Sequence, residues 1–96
     1  MERICLYHDH FGAVYRVHLD PKERVPRERH HGYDRVLAVI EGMLWIELAE
    51  ATSVVGQGQK VIVPSGVWHT IINPSGAGLG LLELQSGLCL DQVERS

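Results

Sequence analysis

The feature that most constrains this 96-residue chain is the stretch from Gly58 to Asn73. It reads Gly58, five residues, Pro64, one residue, Gly66, two residues, His69, three residues, Asn73. Lys60 to Val63 carries β-branched residues at 61, 62 and 63, which favours an extended strand. Pro64 lacks the amide that a strand ladder needs and Gly66 tolerates positive φ, so the strand ends there in a turn. A second strand, Trp68 to Ile72, follows, and Asn73-Pro74-Ser75-Gly76 closes it. His69 thus opens a strand beside a tight turn. From there it can be aimed into a barrel mouth or rest as a satisfied polar residue at a strand end.

The rest of the chain repeats this texture. Short alternating runs recur at regular spacing and hardly any stretch has the 3.6-residue period of a helix, so an all-β barrel or sandwich is expected. Strands are predicted at Arg3 to Tyr7, Ala13 to Leu19, Val25 to His30, Thr52 to Val55 and Leu79 to Gln85. In the second of these Tyr15, Val17 and Leu19 share one face. Pro26 suggests a strand start or an edge. Arg35 to Ile40 and Met43 to Leu48 read as the arms of a tight hairpin around Glu41-Gly42. The tail, Leu88 to Ser96, reads as a final strand or a short helical turn. Trp45, Ile62, Ile71, Leu82 and Leu84 are expected apolar wall or core positions. Residues 1–96 form a single domain without repeat or linker.

Net charge is −3 and the basic residues form no long run, so no nucleic-acid footprint is expected. Arg24, Arg27, Arg29 and Arg35 alternate with Glu23, Glu28 and Asp34, as on a solvated strand face or the polar rim of a cavity. No apolar run reaches the roughly 20 residues of a membrane helix, and no signal-like start follows Met1, which points to a cytoplasmic chain without a membrane partner. Cys5 and Cys89 read as buried small apolar residues, and a reducing compartment argues against a bond between them. A chain this small leaves much of its surface in solvent. A homodimer joined at its N-terminal edge strands is therefore expected.

The Gly58–Asn73 spacing resembles the second conserved motif of the cupin superfamily, with every fixed position present. The resemblance implies a single-domain cupin, an antiparallel β-barrel of jelly-roll type. That family's first motif runs His, one residue, His, three or four residues, Glu, six residues, Gly. Counting back from Gly42 places the Glu position on Arg35 and the His pair on Glu28 and His30. A competing register uses Arg29 and His31. Residues 28 and 30 point the same way along a strand, so Glu28 and His30 can enter one cavity with His69. Two histidines and a carboxylate suit divalent iron and are compatible with zinc, nickel or manganese. His31 replaces His30 or joins it. Two states stay open: Arg35 points to the rim or to a substrate anion while the metal binds, or Arg35 pairs with Glu28 inside a metal-free pocket.

Over roughly residues 15 to 90 the chain is most similar to the cupin domain of type II phosphomannose isomerase, a domain often fused to mannose-1-phosphate guanylyltransferase. That family carries Gln, one residue, His, four residues, Glu ahead of its hairpin; here Glu28, His30 and Arg35 hold those places, and His31 falls on the second of its His run. Leu82-Glu83-Leu84-Gln85-Ser86-Gly87 resembles its Ile-Glu-Val-Gln-x-Gly segment. This resemblance implies a small-molecule-binding, metal-dependent cupin acting on a sugar or sugar phosphate in the manner of an isomerase. Glu28, His69 and Glu83 are then the candidate catalytic groups, and Tyr33, Arg35 and Gln85 the candidate substrate contacts. Two alternatives stand beside it: a non-catalytic cupin with a degenerate metal site that holds a small anion, and an iron-dependent dioxygenase.

Overall fold

Alternation in one strand sets the architecture. In β2 (Gly12–Leu19), Ala13, Tyr15, Val17 and Leu19 are buried while the residues between them turn outward. The same period runs through β4 (Arg35–Glu41), β5 (Met43–Leu48) and β9 (Leu79–Ser86). In the computed structural model, which describes residues 1–86 and 93–95, these join β1 (Glu2–Asp9), β3 (Arg24–His30), β6 (Ala51–Gly56), β7 (Lys60–Val63), β8 (His69–Ile72) and β10 (Val93–Arg95). One five-stranded sheet has the order β1-β2-β9-β4-β7 and the other β10-β3-β8-β5-β6, and every pairing is antiparallel. Leu19, Leu37, Val39, Leu44, Ile46, Val63, Leu79 and Leu81 fill the space between them. The fold is thus the all-β, two-sheet antiparallel barrel that the sequence implied. No helix among the described residues is long and apolar enough to cross a membrane.

The expected hairpin around Glu41-Gly42 is not formed. β4 pairs with β7 and β9, whereas β5 pairs with β6 and β8, so Gly42 carries the chain from one sheet into the other. The register of β4 against β9 slips between Val39 and Glu41, which bends the strand end out of its sheet. Gly42 then takes a φ of 91°, and a Cβ there would lie 2.8 Å from the Gly78 carbonyl oxygen. Only glycine fits this corner without strain.

Two further expectations are corrected. Trp45, Ile62 and Leu84 face solvent and Leu82 is half-buried; of the five expected wall positions only Ile71 is buried. Both faces of these strands carry apolar residues, so hydrophobicity alone did not settle which one turns inward. Cys5 is exposed, because every residue of β1 is; Cys89 lies outside the described residues. Pro26 lies at a register shift between Val25 and Glu28, and among the described residues β10 pairs only with Glu28 to His30, so at Pro26 that side of β3 is an edge, as expected. In the tail, the backbone of residues 93–95 pairs with β3 as a strand.

Asn73 fixes the end of β8. Its amide nitrogen donates to the carbonyls of Leu19 (3.3 Å), Asp20 (3.0 Å) and Ala77 (2.7 Å), and its Oδ1 accepts from the Ser75 amide (3.1 Å) and Ser75 hydroxyl (3.2 Å). The residue that spacing offered as a turn marker thus ties three segments together.

Candidate functional site

At one end of the barrel the apolar core gives way to charge. Following the inward face of β9 past Leu79 and Leu81 reaches Glu83 and Gln85, which are 4% and 5% exposed. β4 contributes Arg35, whose backbone lies opposite Gln85 and Val63. From the other sheet come Glu28 and His69, direct cross-strand partners on β3 and β8. His69 is therefore beside Glu28 within one sheet, not on a facing strand pair. The turn between β7 and β8 is clamped onto the β3–β4 loop: the Gly66 amide donates to the His30 carbonyl (2.6 Å), the Ser65 amide to Asp34 Oδ1 (3.0 Å) and the Gly32 amide to the Ser65 hydroxyl (3.0 Å). These bonds hold the ends of β3 and β8 together.

The charged groups alternate in sign. Arg35 NH1 lies 3.5 Å from Glu28 Oε1, and Arg35 Nε lies 3.6 Å from Glu83 Oε2. Glu83 Oε2 also accepts from Arg3 NH2 (2.5 Å), Arg3 Nε (3.2 Å) and Gln85 Nε2 (3.0 Å). Arg3 reaches it across the ring of Tyr15, with its guanidinium 3.6 Å from the ring centroid. Arg35 NH2 donates to the Tyr33 hydroxyl at 3.2 Å, and Arg35 Nε, although buried, has no hydrogen-bond partner among the described residues. A cavity of about 330 Å³ opens over this row. Arg3, Arg24, Arg35, Glu23, Glu28, Glu83 and His69 supply its polar lining, and Val17, Leu37, Ile71 and Leu81 its apolar lining.

Both histidines are held neutral. His30 Nδ1 lies 3.0 Å from the Tyr33 carbonyl and His69 Nδ1 lies 3.2 Å from that of Val67, so in each ring Nδ1 carries the hydrogen and Nε2 presents a lone pair. Burial lowers the His30 pKa to about 4, with Arg35 and His69 adding to the shift. Burial also lowers that of His69, and nearby Arg35 acts in the same sense. The Nε2 lone pair of His69 faces Glu28 Oε1 at 3.8 Å.

These residues do not fit a divalent metal ion. Among the described residues no three His, Cys, Asp or Glu side chains are grouped closely enough to hold one. His30 is stacked on Tyr33 at a centroid distance of 4.6 Å and is absent from the cavity lining. His31, just past the end of β3, is half-buried and is absent from it too. The Arg35 guanidinium already supplies positive charge to Glu28 and Glu83, and a second cation beside it would be repelled.

The structure thus gathers Glu28, Arg35, His69 and Glu83 around one cavity. Tyr33 and Gln85 stand behind it, on Arg35 and Glu83 respectively, and do not line it. Arg3 and Arg24 line the cavity without having been singled out as site residues. Arg3 meets a partner 80 positions away, so no local spacing announces it. Arg24 stood in the alternating charge run that suggested a cavity rim.

Over residues 15–84 the sequence matches the family described as Cupin domain. The chain belongs to the cupin family. This cupin is 25% identical over 79 residues to mannose-1-phosphate guanylyltransferase ManC of Salmonella typhimurium, covering 82% of this chain but 16% of that protein. Among solved structures it superposes with a TM-score of 0.88 on an uncharacterized conserved protein with a double-stranded β-helix domain from Klebsiella pneumoniae, at 14% identity, covering 99% of this chain and 83% of that one. With KdgF from a Halomonas species the TM-score is 0.85 at 18% identity, over 93% of this chain and 80% of that one. At such identities the structural likeness carries the fold alone.

Proposed function

We propose that this cupin binds a small anionic, hydroxyl-rich molecule of the sugar-phosphate class, with Arg35 as the central contact and no metal ion in the site. The observation that carries this reading is the unspent hydrogen-bonding capacity of Arg35. Its guanidinium is buried, its two ion pairs are longer than the roughly 2.7–2.9 Å of charge-assisted hydrogen bonds, and its Nε donates to nothing among the described residues. An unmade bond on a buried cation is costly, and a ligand phosphate or hydroxyl oxygen would satisfy it. Arg3 and Arg24 add positive charge along the same cavity, whose volume lies within the ~300–1,000 Å³ range of small-molecule sites. The sugar-phosphate class is supported by the guanylyltransferase likeness, which spans only a small part of that enzyme. Calorimetric titration with mannose 1-phosphate, mannose 6-phosphate, unphosphorylated mannose and inorganic phosphate tests it. Binding of a sugar phosphate that is lost in Arg35→Met supports the reading. Equal, weak heats from every compound would sink it.

One contact favours a catalytic version. Neutral His69 turns its Nε2 lone pair toward Glu28 within the cavity, so the pair can accept a proton from a bound sugar and return it at the neighbouring carbon, as an aldose–ketose isomerisation requires. Glu83, held by Arg3 and Gln85, would position Arg35 on the developing oxyanion. Exchange of the sugar C2 hydrogen with deuterated water, followed by NMR, separates the versions: exchange abolished by His69→Ala makes the cupin an isomerase, and no exchange with a tightly bound sugar phosphate makes it a binding protein.

A further inference from the structure

The cavity differs in character between its two ends. At the buried end Arg3 and Arg35 meet Glu28 and Glu83, two cations against two carboxylates. The groups turned to the cavity there are mostly acceptors: both carboxylates and the Nε2 lone pair of His69, beside Arg35 Nε as the one unmade donor among the described residues. A hydroxyl donates and accepts and so suits this set, whereas an ionised phosphate only accepts. At the exposed end the lining reaches Arg24, whose Cα partner on β8 is Ile72, three residues beyond His69. Arg24 is exposed, and its guanidinium makes no hydrogen bond or ion pair among the described residues. Its neighbour Glu23 turns its carboxylate instead to the Asp20 and Met1 nitrogens.

Given the sugar-phosphate reading above, we propose that Arg24 is the phosphate anchor of this cavity and sets its preference for phosphorylated over free sugar. The hydroxyl end of the molecule then lies on Arg35, Glu28 and His69. A phosphate placed at Arg35 would sit beside the two carboxylates that share that guanidinium and be repelled by both. Val17, Leu37, Ile71 and Leu81, which line the cavity between its charged groups, offer an anion no partner. Arg3 is committed to Glu83 and to the ring of Tyr15. On Arg24 the phosphate meets an unengaged guanidinium and keeps its remaining oxygens in water. Measured along β8 from His69 to Ile72, the two ends lie about 10 Å apart, a span that an extended sugar chain with a terminal phosphate covers.

Calorimetric titration of the whole chain with mannose 6-phosphate and, by competition, with unphosphorylated mannose tests this in wild type, Arg24→Met, Arg24→Lys and Arg35→Met. Arg16→Met, exposed on β2 and outside the cavity, controls for the loss of one charge. The wild type is expected to prefer the phosphorylated sugar about ten- to a hundredfold, as one charged hydrogen-bonding contact gives. In Arg24→Met the preference falls to about twofold or less through weaker binding of mannose 6-phosphate; Arg24→Lys and Arg16→Met keep most of it. In Arg35→Met both sugars weaken together, and if that variant does not fold the Arg24 pair decides. Because Arg24 lies in solvent, added salt should shrink the wild-type preference toward that of Arg24→Met. A preference unchanged in Arg24→Met, or lost only in Arg35→Met, puts the phosphate at Arg35 and overturns the proposal while the sugar-phosphate reading stands. A wild type that binds neither sugar, or both equally, overturns both.

Discussion

Arg35 and Glu28 pair across the barrel at 3.5 Å, one from each sheet. The pair links β4 to β3 where the apolar core stops, and Glu83, 3.6 Å from the same guanidinium, makes it a carboxylate–arginine–carboxylate group. A buried arrangement of this kind is stable only while all its charges are present.

Removing the cation is therefore expected to cost more than losing a surface pair. Arg35→Met leaves Glu28 and Glu83 in a site without their shared counter-ion, and the expected loss is about 3–5 kcal/mol in urea unfolding at neutral pH. The double variant Arg35→Met, Glu28→Gln should recover part of it, since one of the two carboxylates that shared the cation is gone. A single-variant loss within about 0.5 kcal/mol, the ordinary size of a surface substitution, would mean that Arg35 does not hold these groups.

Reversing the charge should change what the cavity retains. In Arg35→Glu a new carboxylate joins Glu28 and His69, oxygen and imidazole donors that suit zinc or cobalt. The expected outcome is near-stoichiometric metal in the variant and none in the wild type, read by elemental analysis and by the visible absorption of bound cobalt. Metal held equally by both proteins would show that Arg35 is not what excludes it.

The sequence made the fold legible because its signals were local. β-branched runs, the Pro64 and Gly66 breaks and the Gly58–Asn73 spacing each acted within a few residues, and β1 to β9 appear within two residues of their expected ends. The hairpin at Gly42 was misread because the choice between pairing and crossing to the other sheet rests on β9, about 40 positions later in the chain. In the site, Glu28, Arg35 and His69 were named by counting on the motifs the chain resembles, and Glu83 by the resemblance of its segment. Their balance was not legible: Arg3 arrives from the other end of the chain, and whether Arg35 turns inward depends on Tyr33 and Glu83 receiving it. The outward apolar residues misled for a related reason, since Leu84 and Ile62 have the composition of core and the position of surface.

Acid should weaken the fold through its buried histidines. Because the His30 pKa is lowered from 6.5 to about 4 on folding, the unfolded chain binds the extra proton between those values. The stabilisation is complete above about pH 6.5 and is lost as pH falls toward 4, by up to about 3 kcal/mol for this group. Burial of His69 acts in the same sense. Melting temperatures recorded from pH 8 to 4 should fall steeply below 6.5 in the wild type and less steeply in His30→Gln. Parallel curves would remove His30 as the cause.

Asn73 makes the last prediction, because its side chain has no slack. It is fully buried, its amide serves three carbonyls from two segments, and its oxygen takes two donors from Ser75. Asn73→Ala strands those carbonyls without replacing their partner, at about 1–3 kcal/mol for each group left unsatisfied where water cannot enter. Asn73→Asp keeps the size and the acceptor but removes the donor, placing a carboxylate against three carbonyl oxygens. That substitution should cost at least as much as alanine at neutral pH, and less once acid protonates the new carboxyl. Urea unfolding at pH 7 and pH 4, each against wild type at the same pH, checks this. If aspartate is tolerated at neutral pH, donation by Asn73 is not what closes this end of the barrel.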